Sequence, residues 1–201
     1  MMLTTHVLVG LALAAPVLLV APELGPAALV GGAVGGAFPD ADMYTAHRRT
    51  LHFPVYFSAL ALPTLVIAAA VTTPATVALG VGLLAAAIHC QMDAFGGGLE
   101  LRPWKGTSER AVYDHYRGHW RSPRRWIRYD GAPEDFLLGV GLGVPLWLVL
   151  DGPFDTVVVV ALVISAVYAA VRKRLPDLAP FVVSVAPDAV ATYLPDEYED
   201  A

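Results

Sequence analysis

The chain has little charge and almost no thiol chemistry. Of its 201 residues only 15% are charged, and it has one cysteine, Cys90. An average soluble domain is about 25% charged and about 45–50% apolar. Here the apolar share is 56% and the mean hydropathy is +0.58. A single cysteine excludes an intrachain disulfide framework and a cysteine-built zinc finger. Apolar blocks without ionisable groups and a net charge of −5 argue against a soluble enzyme of ordinary composition, a disordered chain and a nucleic-acid-binding module. No H-E-x-x-H occurs, which argues against a zincin-type membrane protease. Residues 1–6 carry no Lys or Arg, and the first apolar block therefore reads as mature structure rather than a signal peptide.

What is present is a series of apolar blocks: Val7–Ala21, Leu24–Phe38, Phe53–Val71, Ala75–Ile88, Phe136–Leu150 and Thr156–Val171. Their pattern predicts an all-α integral membrane protein of about six transmembrane helices in a bundle. In the second block Gly31, Gly32, Gly35 and Gly36 suit close helix packing, with a re-entrant segment as the alternative. Under this reading all 13 Lys and Arg fall on the side of the N-terminus: Arg48 and Arg49, eight more between Arg102 and Arg128, and Arg172, Lys173 and Arg174. Positive-inside bias then places both termini and the long loop in the cytoplasm. Residues 1–174 form the transmembrane domain, with a basic, aromatic cytoplasmic loop over 96–135. Residues 175–201 form an acidic tail containing Asp177, Asp188, Asp196, Glu197, Glu199 and Asp200. Eleven Arg against two Lys point to a GC-rich prokaryote, hence a multi-pass protein of its cell membrane.

The polar residues collect at one predicted membrane level. His89 and Asp93 are spaced i, i+4, which puts both on one helical face. Pro39 ends the second block, and an extended Asp40-Ala41-Asp42 would turn two carboxylates the same way. Two close carboxylates repel, and a cation relieves that repulsion. His47 and His52, five apart, read as a loop-presented pair before Pro54. Arg48 and Arg49 read equally as phosphate ligands or headgroup anchors. His115 and His119, among Tyr113, Tyr116, Trp120 and Trp126, read as an interfacial segment. Glu134 and Asp135 read as acids at a helix N-terminus.

In order, the chain presents Thr5-His6, Phe38-Pro39-Asp40-Ala41-Asp42, His47-Arg48-x3-His52, His89-x3-Asp93, a Gly-rich turn and Pro103-Trp104. This series resembles the YdjM-type family of inner-membrane-associated, metal-dependent hydrolases, whose first studied member was described as LexA-binding. The resemblance covers about residues 1–104. It departs at Met43, where the family has histidine, at Arg49, Leu51 and Phe53, and in the order of the proline and tryptophan. It implies a metal site built from His6, Asp40, Asp42, His52, His89 and Asp93.

The expectation is therefore a membrane-bound metal-dependent hydrolase with its site at the cytoplasmic interface. Imidazole and carboxylate ligands suit a divalent transition metal: zinc, with manganese or iron as alternatives, in a mononuclear or dinuclear site. Asp42 is the candidate general base, His47 a further catalytic group and Arg48 a phosphate clamp. The substrate is a phosphoester or a lipid headgroup, and the lipid bilayer is the expected partner, with no nucleic acid. The His89-x3-Asp93 ending also occurs in phosphatidic-acid phosphatases, but Gly82 and Leu83 stand where that pattern needs Ser-Arg. The alternatives from other classes are a non-catalytic membrane scaffold or regulator that uses the basic loop, and a metal transporter.

Overall fold

The computed structural model describes residues 1–185. Helix α1 (Leu3–Ala14) passes Pro16 into the short α2 (Val17–Val20), and α3 (Gly25–Ala37), α4 (Pro54–Ala70) and α5 (Pro74–Phe95) follow. A small antiparallel hairpin, β1 (Val112–Asp114) and β2 (His119–Arg121), precedes α6 (Pro133–Val149), α7 (Pro153–Val171) and α8 (Ala179–Val185). The start signals are local. Helices α4, α5, α6 and α7 all open on a proline, whose fixed φ and missing N–H suit the first helical position. Before α5, Thr73 and Thr76 also form a reciprocal capping box.

Among the described residues, three helical stretches are long and apolar enough to cross a bilayer, Leu3–Val20, Pro74–Phe95 and Pro153–Leu178, rather than the six expected. The other apolar blocks do form helices, but turns and prolines close them early. At 13 residues α3 is about 20 Å long, and at 17 residues α4 and α6 are about 25 Å, against a hydrocarbon core of about 30 Å. The helices run alternately up and down. Contacts join the start of α1 to the start of α6 (Met2 N–H to Asp135 Oδ2, 2.8 Å), to the end of α7 (Thr4 Oγ1 to Ser165 Oγ, 2.6 Å) and, through His6, to the end of α5. Leu62, Val66, Leu79, Leu148, Val163 and Val167 point outward and exposed. Such a surface suits lipid, not water. The acids Asp188, Asp196, Glu197, Glu199 and Asp200 of the expected tail lie outside the described residues.

The glycine-rich block is a helix at the centre of the bundle, not a re-entrant loop. Gly32 and Gly36 form one stripe of α3: a methyl group on Gly32 would sit 2.2 Å from Gly10 O, and one on Gly36 2.5 Å from His6 O, both in α1. Gly31 and Gly35 form the next stripe: added methyls there would lie 2.2 Å from Ala78 O and 2.0 Å from Gly82 O of α5. Backbone therefore meets backbone on two sides of α3, the small-xxx-small mode of helix association. This close packing draws His6, the end of α3 and His89 together.

The stretch around His115 is the hairpin turn, not a helix. Asp114 Oδ1 accepts the N–H groups of Tyr116 and Arg117 at 3.1 Å each, Gly118 takes φ +71, and Arg121 grips Asp114 Oδ2 with two donors. His115 donates to Arg49 O, and His119 pairs across the sheet with Asp114.

Candidate metal centre

Four residues from three segments converge: Asp40, His52, His89 and Asp93, each offering one ligand atom within 4.8 Å of the others. His52, His89 and Asp93 are buried, and Asp40 keeps 12% of its side chain exposed. His89 and Asp93 come from the last turns of α5, as their spacing predicts. His52 is held just ahead of Pro54 at the start of α4.

The second segment departs from expectation. Phe38–Tyr44 is a 3-10 helix, not an extended strand. At three residues per turn, positions two apart diverge by about a third of a circle instead of facing the same way. Asp40 and Asp42 consequently hold His52 from opposite sides. Asp40 Oδ1 lies 3.6 Å from His52 Nε2, and Asp42 Oδ2 lies 3.0 Å from His52 Nδ1. Both oxygens of Asp42 face away from the cluster. Oδ2 also accepts Leu51 N–H at 3.0 Å, while Oδ1 meets His47 Nδ1 at 2.9 Å and Arg48 N–H at 3.3 Å. Asp42 thus organises the loop and orients two histidines.

The tautomers decide what the cluster can hold. His89 Nδ1 lies 2.7 Å from the carbonyl oxygen of Gly36, near the end of α3, so this nitrogen carries the proton. Its buried Nε2 has no hydrogen-bond partner among the described residues, yet it sits 3.3 Å from Asp40 Oδ1 and 3.4 Å from Asp93 Oδ2. His52 repeats the pattern: Asp42 takes Nδ1, and Nε2 faces Asp93 Oδ2 at 3.1 Å. A histidine whose outer nitrogen is fixed by an acceptor, with the inner one aimed into a carboxylate pair, is the arrangement metal-ligating histidines adopt. The four cross distances, 3.1, 3.3, 3.4 and 3.6 Å, also fit. Tetrahedral bonds of about 2.0–2.1 Å place neighbouring ligand atoms about 3.3–3.4 Å apart. The residues present therefore fit one divalent ion in a two-histidine, two-aspartate site.

His6 lies at the edge of this cluster. Its Nε2 is 3.2 Å from Asp93 Oδ1, and its ring stacks on His89 at 3.6 Å. The same Asp93 oxygen accepts the Met1 amino group at 3.0 Å and faces the Arg48 guanidinium at 3.5 Å. Arg48 is buried, with φ +58, and donates to Gly97 O at 2.9 Å. This position balances the charge of Asp93. Arg49 stacks over Tyr113, 4.5 Å from the ring centre. His47 is the half-exposed histidine beside the cluster.

Sequence reasoning missed two supports. Asp135 is fully buried, and it receives Thr5 Oγ1 at 2.8 Å as well as the N–H groups of Met2 and Gly131. It therefore fixes the start of α1, from which His6 projects. The Gly36 carbonyl that sets the His89 tautomer carries no sequence signal beyond the glycine itself.

Burial opposes a charge on His52, but hydrogen bonds to Asp40, Asp42 and Asp93 outweigh it and raise its pKa to about 10. Asp40 and Asp42 are held below the usual carboxylate range. Burial again opposes the shift, and His52 and His89 for Asp40, or His47 and His52 for Asp42, prevail. Since the folded value of His52 lies above the ordinary histidine value of 6.5, its contribution to the stability of chelator-stripped protein is complete below pH 6.5. The contribution fades as pH rises through about 10. A metal must displace that proton. Titrating zinc into stripped protein at neutral pH is expected to release a proton, read by calorimetry in buffers of different ionisation enthalpy, and affinity should increase with pH. Heats independent of the buffer would contradict this.

No protein-family model matches the chain, and no curated protein or solved structure matches it.

Proposed function

We propose that this chain is a membrane-bound metal-dependent hydrolase whose substrate is a membrane amphiphile. The observation that carries the reading is the pair of oriented histidines facing two carboxylates beside a cavity. That cavity, of about 290 Å³, is lined by Asp40 and His47 on its polar side and by Leu3, Met43 and Ile164 on its apolar side. It adjoins a groove of about 250 Å³ between α1 and α7, which shares Leu3, Thr4 and Ile164 and continues to Thr156, about 12 Å further along α7. An acyl chain lying in the groove brings the bond next to its headgroup up to Asp40. With Arg48 and Arg49 both engaged elsewhere, support for a soluble phosphoester recedes. The motif series resembling the YdjM-type hydrolases supports the same class. The connections at the opposite end of the bundle carry no Lys or Arg, which favours a site facing the cytoplasm in a prokaryotic cell membrane.

A divalent ion in the cluster, zinc or alternatively manganese or iron, would supply Lewis-acid chemistry and a water activated at neutral pH. His52, His89, Asp40 and Asp93 would hold it, with Asp42 fixing the His52 ring. His47 lines the cavity with Nδ1 held by Asp42, so its other nitrogen is left to take a proton and return it to the leaving group. Asp42 itself, with both oxygens occupied, serves as the orienting partner. Arg48 stabilises the Asp93 side.

The test is turnover of acyl-ester and phosphodiester lipids by zinc-loaded protein in vesicles. His47→Ala is expected to lower turnover by about 10²- to 10⁴-fold with its metal content unchanged. Parent-level turnover in that variant would remove His47 from the chemistry. Absence of turnover by the fully loaded parent on both lipid classes would overturn the hydrolase reading.

A further inference from the structure

A second site lies on the opposite flank of α5. A cavity of about 500 Å³ opens between the last turn of α5 and the β1–β2 hairpin, lined by Gln91, Phe95, Arg117, Arg121, Ser122 and Arg124. It shares no lining residue with the cavity at the metal centre. Its walls are fixed by directed bonds. Arg121 is held on one side by Asp114 and on the other by Gln91 Oε1 at 2.9 Å, and Gln91 donates to Pro54 O at 3.0 Å. Arg124 is positioned by its N–H bond to Ala94 O at 2.9 Å and lies 5.5 Å from the Phe95 ring centre.

The charge balance identifies the ligand class. Asp114 neutralises Arg121. Arg117 and Arg124 make no ion pair among the described residues, so the cavity keeps two positive charges that face a space with no carboxylate in its lining. Its depth is defined by α5, since Gln91 and Phe95 belong to the last turns of the candidate span Pro74–Phe95. Phe95 packs on Trp126 at 4.6 Å, and Trp126 is 71% exposed. An outward indole and paired arginines at the end of a span are the features of a headgroup-level site.

We infer that this pocket binds the phosphate of an anionic phospholipid headgroup through Arg117 and Arg124, with Ser122 as a further donor. The site is independent of catalysis at the metal centre and anchors the hairpin, and with it the Arg48 loop, to the membrane surface. The hairpin reaches that loop through the bond from Tyr113 N–H to Arg48 O at 2.9 Å.

The experiment is native mass spectrometry and thermal unfolding of full-length protein in nanodiscs of phosphatidylglycerol or phosphatidylcholine. A parallel arm adds inorganic phosphate to protein in detergent. The parent is expected to retain phosphatidylglycerol and to unfold at a higher temperature with it than with phosphatidylcholine. Arg117→Ala/Arg124→Ala should bind about thirtyfold more weakly, since each basic side chain at an anionic lipid surface contributes roughly a factor of five. Lys105→Ala/Arg110→Ala, which removes the same charge outside the pocket, should behave as the parent. Equal retention by all three proteins, or equal loss in both double variants, overturns the site. Stabilisation by inorganic phosphate as large as that by phosphatidylglycerol overturns the lipid assignment and leaves a site for free phosphate.

Discussion

Asp93→Ala protein is expected to be isolated without metal, whereas the parent carries one divalent transition-metal ion per chain. Asp93 Oδ2 faces both ligand nitrogens, His52 Nε2 at 3.1 Å and His89 Nε2 at 3.4 Å, and without it the cluster keeps three ligands. The loss extends beyond the metal. Oδ1 meets the Arg48 guanidinium and the Met1 amino group, and removing it strands a buried cation. Breaking a buried pair from one side costs about 3–5 kcal/mol, so this variant should also unfold at lower temperature. Two comparisons separate ligand loss from misfolding. His89→Ala removes a ligand while leaving the Asp93–Arg48 pair intact, and it should lose metal with a smaller fall in unfolding temperature than Asp93→Ala. Asp42→Ala removes an orienting partner and a loop acceptor but no ligand, and should weaken metal affinity by about 10- to 100-fold without abolishing it. Metal analysis by inductively coupled plasma mass spectrometry reads all of these. Two ions per chain in the parent, or an Asp42→Ala variant as empty as Asp93→Ala, would replace the four-ligand site with a larger one that includes Asp42.

The second large effect is expected from Gly35→Val in the middle of α3. The new Cβ would stand 2.0 Å from the carbonyl oxygen of Gly82, a contact between backbones that no rotamer change relieves. Overpacking commonly costs about 1–3 kcal/mol where side chains can adjust. Here whole helices must separate, and the loss should reach or exceed the top of that range. Because α3 carries both the Gly36 carbonyl that fixes His89 and the turn that presents Asp40, the same variant should bind metal poorly. Gly141→Val is the matched control, since an added methyl at Gly141 meets nothing within 4 Å. Thermal unfolding in detergent with parallel metal analysis tests the pair, and equal stability of the two variants would contradict the packing argument.

Much of the metal centre was legible because its parts are short-range. His89 and Asp93 lie one helical turn apart in an apolar block, and that spacing alone puts them on one face. His52, two residues ahead of Pro54, is placed by the proline that opens α4, whereas Phe38 stays helical before Pro39 and the 3-10 turn sets Asp40. The role of Asp42 was not legible. Two carboxylates at i and i+2 converge in a strand and diverge in a 3-10 turn, and the difference depends on where the chain must go next. Asp135 does stand in the first turn of α6 as its sequence position indicates, but its further role, like that of Arg48, was not legible for a related reason. A charged residue in a loop is usually solvated, and only burial against distant segments turned Arg48 into the counter-charge of Asp93 and Asp135 into the clamp on α1.

By itself the sequence determined the helical, membrane-associated class, because uncharged apolar blocks admit no other economical solution for the backbone. It also determined the set of histidines and aspartates from which the centre is drawn, and the glycine stripes that let helices touch. Only the structure decided that, among the described residues, three stretches are long enough to cross a bilayer, since length depends on where each helix stops. It alone decided which four residues share one small volume, which carboxylate instead orients His52, and which nitrogen of His89 is free. Those outcomes depend on contacts between residues 40, 52 and 93, far apart in the chain, and local spacing carries no information about distances set by helix packing.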